Sequence, residues 1–298
     1  MVTPFNEDES VDYRALEALV EWYLQRGVRG LFAVCQSSEM FHLSLRERVA
    51  VAARVVEQCD GRCGVIASGH VSDRFDDQTV EILAMAETGI DAVVLVSNRF
   101  AKAEEDDSVW IEALEALLKR LPSELPLGMY ECPYPYKRLL SDRTFAAMRD
   151  SGRFRFLKDT CCDLGTIERR AEAAAGSELE LFNANSATLL HSLQRGYAGY
   201  SGVMANFHPE LYVHLVDRCS AGGDGLEELQ EFLTLSALYE LKGYPANAKY
   251  AISLEGVQIT PECRAVDASV VLDELRRSET EQMMRYSKRL AQRLGVRG

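Results

Sequence analysis

Long apolar runs are missing from this 298-residue sequence, and none approaches the roughly 20 residues that a membrane span requires. Positive charge is scarce as well. With 33 lysines and arginines against 46 aspartates and glutamates, the formal net charge is -13, which repels a nucleic-acid backbone or an anionic membrane. An anionic small molecule stays compatible, because one pocket can be locally positive. The eight cysteines contain no paired Cys-x-x-Cys framework and the five histidines no His-Glu-x-x-His, so neither a disulfide scaffold nor a metal site is expected. Cys59 and Cys63 are an isolated pair with weak zinc potential. Met1 runs straight into Val2-Thr3-Pro4-Phe5 without the basic and apolar regions of a signal peptide, so a soluble, cytoplasmic protein without a cofactor is expected.

Apolar residues make up 47% of the chain, enough for a barrel-sized core. Short apolar runs alternate with helix-length amphipathic segments over its first two-thirds. Strands are predicted over 30–35, 63–68, 92–96, 125–130, 153–159, 179–182 and 199–203. Helices are predicted over 45–58, opened by the capping box Ser44-Leu45-Arg46-Glu47, and over 77–88, 108–120 and 142–150. Continuous apolar strands are what a parallel sheet covered on both faces requires. The alternation allows a doubly wound sheet or a closed eight-stranded barrel with one strand unidentified, for which Met1 to Phe5 offers only a stub. From about Phe207 the pattern turns helical, over 209–219, 226–241, 246–255 and 268–294. Gly222-Gly223-Asp224-Gly225 is the clearest break, dividing residues 1–222 from a C-terminal helical domain of residues 223–298.

In a barrel, chemistry belongs at the C-terminal ends of strands and in the loops after them. That rule selects Gln36, Ser37, Ser38 and Glu39; Asn98, Arg99 and Phe100; Tyr130 and Glu131; Lys158; and Asn183 and Asn185. Lys158 closes the run Arg153-Phe154-Arg155-Phe156-Leu157-Lys158-Asp159-Thr160. A period of two puts Phe154, Phe156 and Lys158 on one face, and an amine held against apolar surface favours the neutral form that attacks a carbonyl. A strand-end lysine paired with Asp159, or simply solvated, is the plain alternative. Tyr130, one strand earlier, can converge with it on a small carbonyl compound.

These residues resemble the dihydrodipicolinate synthase and N-acetylneuraminate lyase family, pyruvate-dependent Schiff-base aldolases on a (β/α)8 barrel. Val2-Thr3-Pro4-Phe5 is similar to the family's opening Thr-Pro-Phe, so that Met1 begins inside a truncated first strand. Cys35-Gln36-Ser37-Ser38-Glu39 stands where the family has Gly-Thr/Ser-Thr-Gly-Glu, Tyr130-Glu131-Cys132-Pro133 at its Tyr-Asn-x-Pro, and Leu157-Lys158-Asp159 at its Ile-Lys-Asp/Glu. The resemblance implies a TIM barrel with a C-terminal helical extension. Lys158 would be the imine nucleophile and Tyr130 the proton shuttle. Gln36, Ser37 and Ser38 would lie on the substrate carboxylate, and Phe100 would stand at a second tyrosine of the synthases. It further implies a 2-oxo acid and an aldehyde as substrates, and a homo-oligomer, dimer or tetramer.

The departures narrow the expectation. Cys35 and Ser38 replace two loop glycines, so a backbone that could need positive φ carries side chains. Phe100 lacks the relay hydroxyl. Pro135 falls where the synthases hold the semialdehyde carboxylate with an arginine, and Lys137 or Arg138 is either a substitute or a solvated loop cation. These losses argue against the lysine-biosynthetic condensation while leaving the imine chemistry intact. Asn183, Asn185 and Ser186 are donors for a hydroxylated substrate or else turn and cap formers. Tyr197 and Tyr200 are pocket candidates or packing residues. A dehydratase or decarboxylase using the same imine, or a non-catalytic ligand-binding relative, are the other readings.

Overall fold

In the computed structural model, which describes residues 1–221 and 225–296, helices and strands alternate after an irregular N-terminal segment. They run α1 (Tyr13–Gln25), β1 (Gly30–Phe32), α2 (Leu45–Cys59), β2 (Gly64–Ala67), α3 (Phe75–Ala86), β3 (Ala92–Val96) and α4 (Asp107–Leu118). There follow β4 (Leu127–Tyr130), α5 (Asp142–Asp150), β5 (Phe154–Asp159), α6 (Leu164–Ala174), β6 (Glu180–Asn183), α7 (Leu189–Gln194) and β7 (Gly199–Tyr200). Helices α8 (Pro209–Ala221), α9 (Leu226–Ser236), α10 (Ala246–Ser253), α11 (Ala268–Val271) and α12 (Glu274–Arg293) complete the chain. The predicted break at Gly222, Gly223 and Asp224 lies outside the described residues.

Local signals start the helices. Ser44 accepts from the Glu47 amide and the Glu47 carboxylate accepts from that of Ser44, satisfying two donors that a helix start leaves free. Ser141 and Asp163 cap α5 and α6 in the same sense. The expected 268–294 helix is in fact two, because Asp273 turns its carboxylate onto the Arg276 amide and starts α12 afresh. Likewise 226–241 is α9 followed by a tighter 3-10 turn, Ala237–Leu241, that carries the chain back over the barrel mouth.

The seven strands form one parallel sheet in the order β1 to β7. The sheet is curled. Phe32 on β1 touches Tyr130 on β4 and Phe156 on β5, with centroids 5.8 and 6.1 Å apart, whereas strands four places apart in a flat sheet are separated by about 19 Å. Helices surround it, giving a TIM-barrel-like α/β fold. Val2 and Thr3 are buried and the Met1 amine donates to Phe32 O at 2.9 Å, but the expected strand stub forms no parallel ladder; Phe5 makes only an isolated bridge to Val11. No helix among the described residues is long and apolar enough to cross a membrane, and no cluster of three potential metal ligands occurs among them.

One buried histidine couples the fold to pH. His70 accepts the Val96 N–H on Nδ1 at 3.0 Å, and its Nε2 meets Gln78 Oε1 at 2.8 Å, so the geometry holds the neutral Nε2–H tautomer. Burial lowers its pKa from 6.5 to about 4. Because the unfolded chain binds this proton first, stability is complete above pH 6.5 and falls as the solution is acidified toward 4. Urea unfolding at pH 7 and pH 5 is expected to show about 2 kcal/mol of acid loss that His70→Gln lacks. Equal acid losses in the two proteins would refute the assignment.

Candidate active site

The register of β4 on β5 pairs Tyr130 with Lys158 at the C-terminal rim. As a period of two requires, Phe156 and Lys158 turn into the barrel while Leu157 and Asp159 turn outward. Lys158 Nζ lies 4.6 Å from the Tyr130 ring centroid and 5.6 Å from that of Phe32. The side chain is 7% exposed, and burial lowers its pKa from 10.5, against an opposing pull from Cys35, Cys132 and Glu240. Asp159 does not pair with it. That carboxylate accepts from Arg170 at 2.8 Å and from the Tyr197 hydroxyl at 2.6 Å on the outer side of the sheet.

Above Lys158 opens a cavity of about 540 Å³. Gln36, Ser37, Tyr130, Lys158 and Asn185 line it. Tyr130 donates to Gln36 Oε1 at 3.3 Å, and burial holds its phenol well above the usual value of 10, so it remains a proton donor. The β1 loop tolerates its lost glycines. Cys35 is extended (φ -150°), Gln36–Ser38 form a 3-10 turn, and the left-handed residue is Glu39 (φ +60°). Glu39 is held there by Lys249 Nζ at 2.8 Å and by the amides of Arg264 and Ala265 at 2.6 and 2.8 Å. The backbone therefore makes no demand at positions 35 and 38 that only glycine meets.

Three of the expected substrate residues are not brought to the cavity. The Ser38 hydroxyl is used within its own turn, donating to Cys35 O and accepting from Cys35 N. Phe100 is buried between His70 and Trp110, with centroids 5.4 and 5.2 Å away. Asn183 donates to Thr188 and Ser192 and accepts from the Asn185 amide, which makes it a turn former. Asn185 combines both expected uses, lining the cavity while its carboxamide oxygen caps the turn at Thr188. Tyr197 packs outward on Asp159, and Tyr200 stacks on Tyr212 at 4.0 Å. Asn98 donates to the carbonyls of Cys132, Tyr134 and Tyr136 and so shapes the β4 loop. Arg138 is occupied by the carbonyls of Lys102, Glu105 and Asp106, while the exposed Lys137 reaches the Thr160 carbonyl at the cavity edge.

Sequence reasoning passed over the far wall. Glu240, Leu241, Tyr244 and Pro245, from the 3-10 turn and the approach to α10, also line the cavity. Burial raises the Glu240 carboxyl to about 6, and Lys158 pulls in the opposite direction. Glu131, on the strand-end shortlist, turns away from the cavity into a buried pair with Arg170 at 2.6 Å. No local signal marks these roles, because their partners lie far away in sequence.

A TIM-barrel-like sheet with a buried strand-end lysine beneath a polar cavity defines the architectural class. The chain belongs to the dihydrodipicolinate synthetase family, whose model matches residues 1–284. It is 29% identical over 224 residues, 74% of each chain, to the 4-hydroxy-tetrahydrodipicolinate synthase of Acidithiobacillus ferrooxidans (strain ATCC 53993 / BNL-5-31). Its fold matches YagE, a prophage protein of this family from E. coli K12 solved with pyruvate, at a TM-score of 0.85, 20% identity and 96% coverage of both chains. It also matches a catalytic-lysine mutant of Ruminococcus gnavus sialic acid aldolase at a TM-score of 0.85 and 19% identity, covering 97% of this chain and 94% of that one.

Proposed function

We propose that this protein is a Schiff-base-forming lyase or aldolase acting on pyruvate or a related 2-oxo acid, and not a dihydrodipicolinate synthase in the strict sense. The observation that carries the reading is the Lys158 amine, buried against two aromatic rings and free of any carboxylate partner, with Tyr130 beside it. The neutral amine adds to the keto carbon, and the carbonyl oxygen leaves as water after taking up protons, one of them through Tyr130. The resulting iminium draws electrons from the adjacent carbon. Loss of a proton there gives an enamine that bonds to an aldehyde carbon, whose oxygen takes a proton from Tyr130; water then releases the product and regenerates the amine. Cleavage is the same sequence reversed.

Ser37 and the amides of its turn are the proposed donors to the 2-oxo acid carboxylate, with Gln36 orienting the Tyr130 hydroxyl. Pro135 offers no donor and Arg138 is already occupied, which supports an acceptor other than the semialdehyde of the synthases. In this reading residues 1–222 are a (β/α)8 barrel in which the buried N-terminal segment takes the place of a first strand. Residues 223–298 are a helical extension that contributes the far wall, and the assembly is a cytoplasmic homo-oligomer. Incubation with pyruvate and borohydride is expected to add one reduced pyruvyl group, mapping to Lys158 by peptide mass. Absence of an adduct across a panel of 2-oxo acids would overturn the proposal.

A further inference from the structure

The cavity's charges are unevenly committed. Glu39 is spent on Lys249 and two backbone amides. Lys137 is exposed at the rim, where water screens its charge, and reaches the Thr160 carbonyl. Glu240 is different. It lines the cavity from the 3-10 turn after α9, partly buried, and no described residue donates a hydrogen bond to it or pairs with it in a salt bridge; among the described residues, Lys158 is the cation that draws its carboxyl down. Loss of the α-proton from the iminium gives the neutral enamine, so for that part of the cycle the Lys158 nitrogen carries no charge. The carboxylate is then an uncompensated acceptor on the wall that faces the incoming second substrate.

From this geometry we infer that Glu240 selects the acceptor, binding a hydroxyl group at its far end and repelling aldehydes that carry a carboxylate there. The inference rests on the imine reading above. A like charge opposed across a partly buried site is costly, whereas a carboxylate accepts from hydroxyl donors without losing its own solvation uncompensated. The 2-oxo acid avoids the repulsion because its carboxylate belongs to the loop after β1, a separate element of the wall. Glu240 stands 82 residues beyond Lys158 in sequence, on an element that the strand-end rule does not scan.

The test compares two aldehydes on one skeleton, D-glyceraldehyde and tartronate semialdehyde, which end in hydroxymethyl and carboxylate respectively. Each is supplied with pyruvate to the full-length protein, and kcat/KM for aldol formation is measured. Wild type is expected to favour glyceraldehyde by about tenfold or more, Glu240→Asp to keep that preference, Glu240→Gln to bring the ratio within about threefold, and Glu240→Lys to reverse it. Thermal melts of the variants identify any loss that is merely structural, and the ratio is read within each folded variant. Borohydride trapping of wild type with pyruvate alone separates the two claims. An adduct together with an unchanged ratio in Glu240→Gln, or with no preference in wild type, overturns the role of Glu240 and leaves the imine standing. Absence of the adduct overturns both.

Discussion

Lys158→Ala is expected to lower turnover by at least about 10⁴-fold, a barrier increase of roughly 5.5 kcal/mol, and to eliminate the borohydride-trapped adduct. Removing the amine removes the covalent route itself. Lys158→Arg is expected to be equally inactive, because a guanidinium stays protonated and cannot attack a carbonyl. Lys158→Ala should not be grossly unstable. The ammonium has no ion-pair partner to strand, and burial already disfavours its charge. The lowered pKa also sets the sign of the pH profile. Imine formation rises with pH through the folded pKa of Lys158, so its half-maximal point is expected below 10.5, with borohydride-trapping rates as the measurement. A trapped adduct in Lys158→Ala, or a half-maximal point at or above the ordinary lysine value, would sink this account.

Arg170→Met should show the largest loss of stability of any single change near the site, about 3–5 kcal/mol, or on the order of 10 °C in Tm. Its guanidinium is 2% exposed and donates to Glu131 Oε1 at 2.6 Å, to Asp159 at 2.8 Å and to Leu140 O at 2.7 Å. Burial is the largest influence on the Asp159 carboxyl and would raise it, but Arg170 together with hydrogen bonds from Tyr197 and Cys161 outweighs it, so that the pKa falls below 3.8; for Glu131 burial wins and the pKa rises. Without the guanidinium, two carboxylates face each other in the interior with nothing to neutralise them. Glu131 also accepts from the amides of Leu140 and Thr160, at 2.7 and 2.9 Å. The network thus ties together the ends of β4 and β5 that hold Tyr130 and Lys158. Differential scanning calorimetry of Arg170→Met, alone and combined with Glu131→Gln and Asp159→Asn, tests this. The added neutral partners are expected to recover part of the loss, and a single variant that melts with wild type would show the network to be energetically idle.

The two predictions separate roles that adjacent residues could easily confuse. Lys158 and Asp159 are neighbours in sequence, yet strand alternation sends one into the barrel and the other into the helix layer. Asp159 acts through Arg170 and Tyr197, on the position of β5 and not on the reacting atoms. The same alternation parts Tyr130 from Glu131.

Most strands and several helix starts were legible from the residues alone, because their causes are local, although β1 and β7 each end three residues before the apolar runs that predicted them. A capping box spans four residues and a buried parallel strand is a short apolar run, so Ser44 and the β5 run declared themselves. The facing of Lys158 into an aromatic interior followed from the period of two. Which residues meet across the cavity had no such local cause. Glu39 depends on Lys249, 210 positions later, and Glu131 on Arg170, 39 positions later; Ser38 and Asn183 turned out to satisfy their own turns. Phe100 was placed by packing on His70 and Trp110, and the break between α11 and α12 by one side-chain cap among several available. Glu240 reached the cavity only because the chain returns over the barrel mouth after α9. Sequence by itself determined most of the strands and several of the helices, the inward face of β5 and the nucleophile candidate, through short-range sterics and periodicity. Tertiary structure alone decided which polar groups are already satisfied and which remain open to a substrate, since that depends on partners that folding brings together.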